Sequence, residues 1–279
     1  MKLRKHATDP RHYQIVVLAM LVTYGVVMLD FGIHWYNAVG ILCTALAVQF
    51  LGTRAFCLPS FDPRSPLITA LSLTLLLRTD SLLLAMAAAA IAIGSKFLLR
   101  INGKHVFNPA NIGIVSMILL SDRAWISTGQ WGNAAIGAFA LACLGFIVLT
   151  RAKRAETTVA FLCAYATLLF GRALWLGDPL SLPLHDLQNG ALLLFAFFMI
   201  SDPKTSPNTP LGRIIFATVV ASIAFAIQYL YYQPNGPMLA LPMAVPLVPL
   251  IDVFLRGHVY RWRRAVDRPI LKETTKGAF

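Results

Sequence analysis

Charge is what this 279-residue chain has least of. Only 13% of its residues are Asp, Glu, Lys or Arg and 57% are hydrophobic, whereas soluble domains carry about 25% charged residues. A separate water-soluble domain is excluded, because nothing long enough to fold alone remains once the apolar runs are removed. The sequence therefore predicts one transmembrane domain over 13–256, between a cytoplasmic N-terminal segment, 1–12, and a basic cytoplasmic tail, 257–279. Acidic residues are scarcer than basic ones, 12 against 24, for a net charge of +12. That surplus does not point to nucleic acid, since the basic residues sit in short loops beside apolar spans, as the positive-inside rule requires. The four cysteines, Cys43, Cys57, Cys143 and Cys163, are isolated and form no C-x-x-C. Neither zinc nor an iron–sulfur cluster is expected from them, and they read as packing residues. The six histidines show no ligand spacing, so no metal is expected, and no pattern for acid–base or nucleophilic catalysis is present.

What is present is a series of apolar segments: Tyr13–Ile33, Ala38–Phe56, Leu67–Leu77, Leu82–Leu99, Asn111–Leu120, Trp131–Thr150, Thr157–Leu176, Asn189–Ile200, Leu211–Tyr232 and Met238–Leu255. The first follows K-L-R-K-H-A-T-D-P-R-H and is long enough to span, so it reads as a membrane segment and not as a cleavable signal. With both termini cytoplasmic, only Arg78, Arg123 and Arg172 of the 24 basic residues fall on the outer side of the membrane. Leu67–Leu77, Asn111–Leu120 and Asn189–Ile200 are too short to span comfortably. Ile112–Leu120, for instance, makes about 14 Å of helix at ~1.5 Å per residue, roughly half of a ~30 Å hydrocarbon core. The first and third of these short segments hold the same place in each set of five. The expected fold is all-α and polytopic, about ten transmembrane helices in a five-plus-five inverted repeat with several short or broken helices.

Four polar–proline pairs, Ser65-Pro66, Asn108-Pro109, Asp202-Pro203 and Thr209-Pro210, carry the signature of helix starts, a capping side chain followed by proline. The charge split places all four on the inner side, where several positive helix ends would favour an anionic or electron-rich ligand. Asn108 and Asn111 are three apart and fit one helix face. The loop S-D-P-K-T-S-P-N-T-P-L-G-R gathers Asp202, Lys204, Thr205, Ser206, Asn208 and Thr209. Asp30 and Asp252 sit near the ends of the first and last segments and are expected to face headgroups or pair locally. From these residues alone, a binding site for an anionic or electron-rich ligand remains open, as do a small-solute transport site lined by Asn108, Asn111 and Thr205 and a non-redox scaffold.

The stretches S-P-L-I-T-A-L-S-L-T-L-L-L, K-F-L-L-R-I-N-G-K-H-V-F-N-P-A-N, F-F-M-I-S-D-P-K-T-S-P-N-T-P-L-G-R and P-L-V-P-L-I-D occur in an order that resembles the NqrB/RnfD family, from about Ser65 to Asp252. These are membrane subunits of the sodium-pumping NADH:quinone oxidoreductase and of the Rnf electron-transport complex. The resemblance implies a bacterial inner-membrane subunit that binds a non-covalent flavin, riboflavin or FMN, and relays electrons to other membrane or periplasmic redox subunits or to a quinone. Its frame is similar to that of urea transporters. Carried over, the flavin neighbours are Asn108 and Asn111 with the flanking Lys104 and Phe107, and Asp202, Lys204 and Thr205 form a nearby wall. The family's second flavin is esterified to threonine in an S-G-A-T motif. Here the corresponding loop reads S-D-R-A-W-I-S-T-G-Q-W-G-N, and Thr128 lacks the surrounding pattern, so no covalent FMN is expected.

Overall fold

A computed structural model describes residues 9–101, 103–126, 155–258 and 260. The expected segment Trp131–Thr150, the loop position Thr128, Cys143 and the tail beyond Tyr260 lie outside the described residues.

Every other expected segment is helical. The helices are α1 (Pro10–Val27), α2 (Trp35–Ala55), α3 (Arg64–Leu76), α4 (Leu82–Leu98), α5 (Pro109–Leu120), α6 (Ala155–Leu176), the short α7 (Ser181–Leu187), α8 (Gly190–Leu194), α9 (Pro210–Tyr229), α10 (Gly236–Ala244) and α11 (Leu247–Phe254). A π-helical turn, Phe195–Met199, continues α8. Among the described residues, three helices, α2, α6 and α9, are long and apolar enough to cross a membrane. The pair α10 and α11, bent by 52° at its break, is a fourth if taken as one span, and α3, α4, α5 and α8 with its π turn are shorter apolar helices. The chain is a helical membrane protein.

Two ribbons tie helix ends together. β1 (Leu77–Thr79) pairs antiparallel with β4 (Ala124–Ile126), so the end of α3 lies beside the end of α5. β2 (Arg100–Ile101) and β3 (Lys104–His105) form a hairpin between α4 and α5, turned through Gly103 at φ +76°. The interior is apolar and built from small side chains along α4, where Ala85, Ala88, Ala89 and Ala92 are fully buried. Small residues let helix backbones approach closely, which is how helices associate in lipid. Large apolar side chains such as Leu83, Leu98, Leu120 and Trp175 project outward, as a lipid-facing surface requires.

Packing follows the same order in both parts of the chain. α2 packs on α4 and α4 on α5, and later α6 packs on α9 and α9 on α10. A glycine makes each second contact close. A Cβ on Gly113 would stand 2.6 Å from the Ala88 carbonyl oxygen of α4, and one on Gly236 would collide with the Ala224 carbonyl oxygen of α9.

Two of the four polar–proline pairs cap helices. Asn108 Oδ1 accepts from Asn111 N at 3.1 Å, and Thr209 Oγ1 accepts from Gly212 N at 3.1 Å. The other two do not. α3 starts one residue before Ser65, whose hydroxyl is turned instead to Lys96, with Nζ at 2.8 Å. Asp202 Oδ1 accepts from Lys204 N at 2.9 Å and closes a turn, so no helix starts before Thr209. The cysteines differ from expectation too: Cys43, Cys57 and Cys163 are exposed, not packed inside, because they lie on the outer faces of helices or in the loop after α2.

Candidate functional site

One cavity gathers the start of α1, α3, the start of α5 and the end of the π turn. It encloses about 870 Å³ counting its open mouth. Its apolar wall includes Ile68, Pro109, Ala110, Phe197 and Phe198, and its polar wall includes Arg11, Ser65, Thr69, His105, Asn108, Ser201, Asp202 and Lys204.

The sequence explains each placement. Asn108 can cap α5 only by turning its side chain toward the first turn, and its Nδ2 then reaches back to Asp202 Oδ2 at 3.3 Å and the Met199 carbonyl at 3.4 Å. Asp202 follows the π turn, whose extra residue per turn is a frequent feature of functional sites. Lys204 comes next on the Asp202 turn, and its Nζ donates to the Tyr260 carbonyl at 3.2 Å. Behind the wall, Lys96 is buried, with Nζ donating to Gln49 Oε1 at 2.7 Å as well as to Ser65.

The mouth is braced by four charges. Arg11 bridges Asp9 at 2.6 Å and Asp62 at 2.7 Å, while Arg64 bridges Asp9 at 2.9 Å and Asp62 at 2.8 Å. Partial burial alone would raise the Asp62 pKa, but hydrogen bonds from Arg64 and Arg11 and the charge of Arg11 pull it far below the usual carboxylate range. Asp9 is lowered in the same manner. His105 is pushed down to about 3, first by burial and then by the charges of Lys96, Arg100 and Lys204, so its ring is neutral at any physiological pH.

Of the residues singled out in the sequence, Asn108, Asp202 and Lys204 line this cavity together. Lys104 and Thr205 instead line a smaller, mostly apolar recess beside it, with Val245, Pro246 and Val248. There Lys104 Nζ donates to Ser206 O at 2.7 Å, Asn208 Oδ1 at 3.1 Å and Asp252 Oδ2 at 2.9 Å, which supplies the local partner expected for Asp252. Asn111 is turned away from Asn108's face, with Nδ2 on the Met238 carbonyl of α10 at 3.0 Å. Phe107 is half-buried in the connection to α5 and lines neither cavity. Sequence reasoning passed over Arg11, Thr69, His105, Phe197 and Phe198. Arg11 is part of a basic terminus that reads only as topology, and His105 lies three residues from Asn108 without a metal-ligand partner.

A second polar cavity, lined by Tyr165, Asp186, Asn189, Gln228 and Asn235, sits where the starts of α8 and α10 meet. Tyr165 donates to Gln228 Oε1 at 2.6 Å, and Tyr229 to Asp186 Oδ2 at 2.7 Å. Met238 lines this cavity and Asn108 the first, so the Asn111–Met238 bond joins the elements that wall the two.

The sequence is similar to those of RnfD proteins, named for their place in an ion-translocating oxidoreductase complex. It is 33% identical to that of Erwinia tasmaniensis over 121 residues, 43% of this chain and 34% of that protein. It is 32% identical to that of Citrobacter koseri over 147 residues (52% and 39%) and 35% identical to that of Klebsiella pneumoniae over 136 residues (48% and 37%). The matched region spans between 34% and 39% of the length of these relatives. The profile of the NQR2, RnfD, RnfE family matches residues 121–261. With half of its length matched, the chain belongs to the NQR2, RnfD, RnfE family.

Proposed function

We propose that this chain is an electron-relay subunit of an ion-translocating oxidoreductase-type complex in the bacterial inner membrane, holding a non-covalent flavin in the cavity between α1, α3, α5 and the π turn. The observation that carries the reading is the cavity itself. A capped helix start at Asn108, the cation of Lys204 and the guanidinium of Arg11 share its wall with the aromatic rings of Phe197 and Phe198. These residues fit a flat, electron-accepting ring system. Phe197, Phe198, Ile68 and Pro109 supply an apolar wall for its faces, while Asn108, Arg11 and Lys204 supply donors and positive charge. A bound flavin would supply one- and two-electron chemistry. The residues around it favour the reduced, more anionic form, since positive helix ends and cations stabilise negative charge where water is excluded. Lys204 and the α5 start would raise the potential by that route, and the Asp9–Arg11–Asp62–Arg64 brace would hold α1 against α3 so that the cavity keeps its shape.

The repeated packing order, with a glycine at each α4–α5 and α9–α10 contact, supports the ten-span inverted repeat with both termini cytoplasmic. In that frame the partners are other membrane or periplasmic redox subunits and a quinone.

Acid precipitation of the purified chain tests the proposal. The supernatant should contain riboflavin or FMN near one per chain, and the protein pellet should keep the mass of its sequence, with no flavin phosphate on Thr128. Asn108→Ala should lower the flavin content without changing the elution profile. A colourless supernatant, with Asn108→Ala abolishing solute flux in liposomes, would favour a transporter on the same frame.

A further inference from the structure

The α3 wall of the flavin cavity carries a line of hydroxyls. Ser65, Thr69 and Ser72 all border the cavity, with Ile68 between them. Positions four and seven along a helix share a face, so the three stand one above another. At ~1.5 Å per residue the line is about 10 Å long, leading away from Arg64 at the mouth. A hydroxyl on a helix can return its proton to the carbonyl four residues back. Thr23, Thr53, Thr167 and Thr218 do so, and so does Thr69, to the Ser65 carbonyl at 3.1 Å. Ser72 does not. Its hydroxyl has no hydrogen-bond partner among the described residues, although the residue is only 6% exposed. It is also reachable: the unpartnered hydroxyls of Thr44, Thr157 and Ser206 are sealed from the surface, and that of Ser72 is not.

A buried hydroxyl without a partner is costly, so the cavity's occupant is the group expected to supply one. Along the line the wall both gives and accepts. Thr69 has spent its proton and keeps an accepting oxygen, whereas Ser65 Oγ accepts from Lys96 at 2.8 Å and keeps its proton. None of the charged residues that line the cavity lies on α3. The matching ligand part is therefore uncharged and extended, with groups that donate and accept in series. A heteroaromatic edge gathers its polar atoms at one place and cannot follow such a line, but a polyol chain can. We propose that Thr69 and Ser72 hold the ribityl chain of the bound flavin along α3. This rests on the flavin reading above, and it adds a wall to the flavin neighbours named by the family resemblance.

The test compares riboflavin with lumiflavin, which has the same ring and a methyl group in place of the ribityl chain, on flavin-depleted full-length protein in detergent by fluorescence quenching. Wild type should bind riboflavin at least about tenfold more tightly. Ser72→Ala should weaken riboflavin about fivefold, the size of one hydrogen bond, and leave lumiflavin unchanged. Ser72→Ala combined with Thr69→Val should weaken riboflavin more than about tenfold, again sparing lumiflavin, whose binding shows that the variants are folded. Equal affinity of wild type for the two flavins, a preference undiminished in the double variant, or equal weakening of both compounds would overturn the role of the α3 hydroxyls while leaving the flavin site standing. Failure of wild type to bind either compound would overturn the flavin reading itself, and this contact with it.

Discussion

Asn111 donates from Nδ2 to the Met238 carbonyl at 3.0 Å, joining the first turn of α5 to the first turn of α10. The two helix starts come from opposite parts of the chain, and Asn111 is 1% exposed. The first four N–H groups of a helix lack intrahelical partners, and so do the carbonyls at its other end. Met238 is in the first turn, but the residue four positions on is Pro242, which has no N–H, so the Asn111 amide stands in for the helical bond that the Met238 carbonyl lacks. Asn111→Leu removes that donor from a dry interface. It should destabilise the protein by about 1–3 kcal/mol, the cost of a buried polar group left unmatched. A thermal melt in detergent, followed by size-exclusion recovery, reads this as a lower midpoint. An unchanged midpoint would mean that the bond joins the two helices without stabilising them.

The glycine contacts predict a contrast between positions. Gly113→Ala and Gly236→Ala place a methyl against backbone carbonyls that cannot move aside, and each should cost about 1–3 kcal/mol by overpacking. Gly94 and Gly171 lie inside α4 and α6, and a Cβ on either meets nothing within 4 Å. Alanine there should be neutral or stabilising by up to about 1 kcal/mol, because glycine is a poor helix former. The same melts distinguish the two pairs.

Lys104 and Asp252 form a largely buried ion pair at 2.9 Å, with side chains 9% and 16% exposed. Lys104→Met leaves the carboxylate without its cation and should cost about 3–5 kcal/mol, whereas Lys104→Met combined with Asp252→Leu should recover most of that loss. Expression level and melting midpoint of the single and double variants measure it. A double variant no better than the single would show that Lys104 matters chiefly for its bonds to Ser206 and Asn208.

The pH dependence follows from the groups outside the membrane segments. His105 has a folded pKa near 3 against 6.5 in the free side chain. A depressed folded pKa means that the unfolded chain binds the proton more readily, so the stability His105 contributes is complete above about pH 6.5 and is lost as pH falls toward 3. Asp9 and Asp62, whose folded values are also lowered, add a further loss below the usual carboxylate range. Between pH 7.5 and 5 the melting midpoint should therefore fall, and His105→Gln should flatten that part of the curve. A variant with the wild-type slope would assign the dependence to other groups.

The helices were legible in the sequence because long apolar runs in a chain with 13% charge have few other uses. The caps at Asn108 and Thr209 were legible for a local reason, a side chain reaching its own next turn. Ser65 has the same local sequence pattern, and there the reading fails, because Lys96 competes for its hydroxyl from another helix. The site divides in the same way. Asn108, Asp202 and Lys204 come from two motifs that look polar for their surroundings, and they do share a cavity. Arg11 is held at that cavity by its neighbour Asp9 together with Asp62, 51 residues away. His105 belongs because the β2–β3 hairpin folds it back against α4. Such long-range choices leave no periodicity to read.

The visible absorption spectrum of the purified wild-type chain tests the flavin site most directly. The expected result is the two-banded spectrum of an oxidised flavin, retained through size exclusion, bleached by dithionite and restored by air. A purified, folded chain with no visible absorbance, and none gained on incubation with riboflavin or FMN, would contradict it.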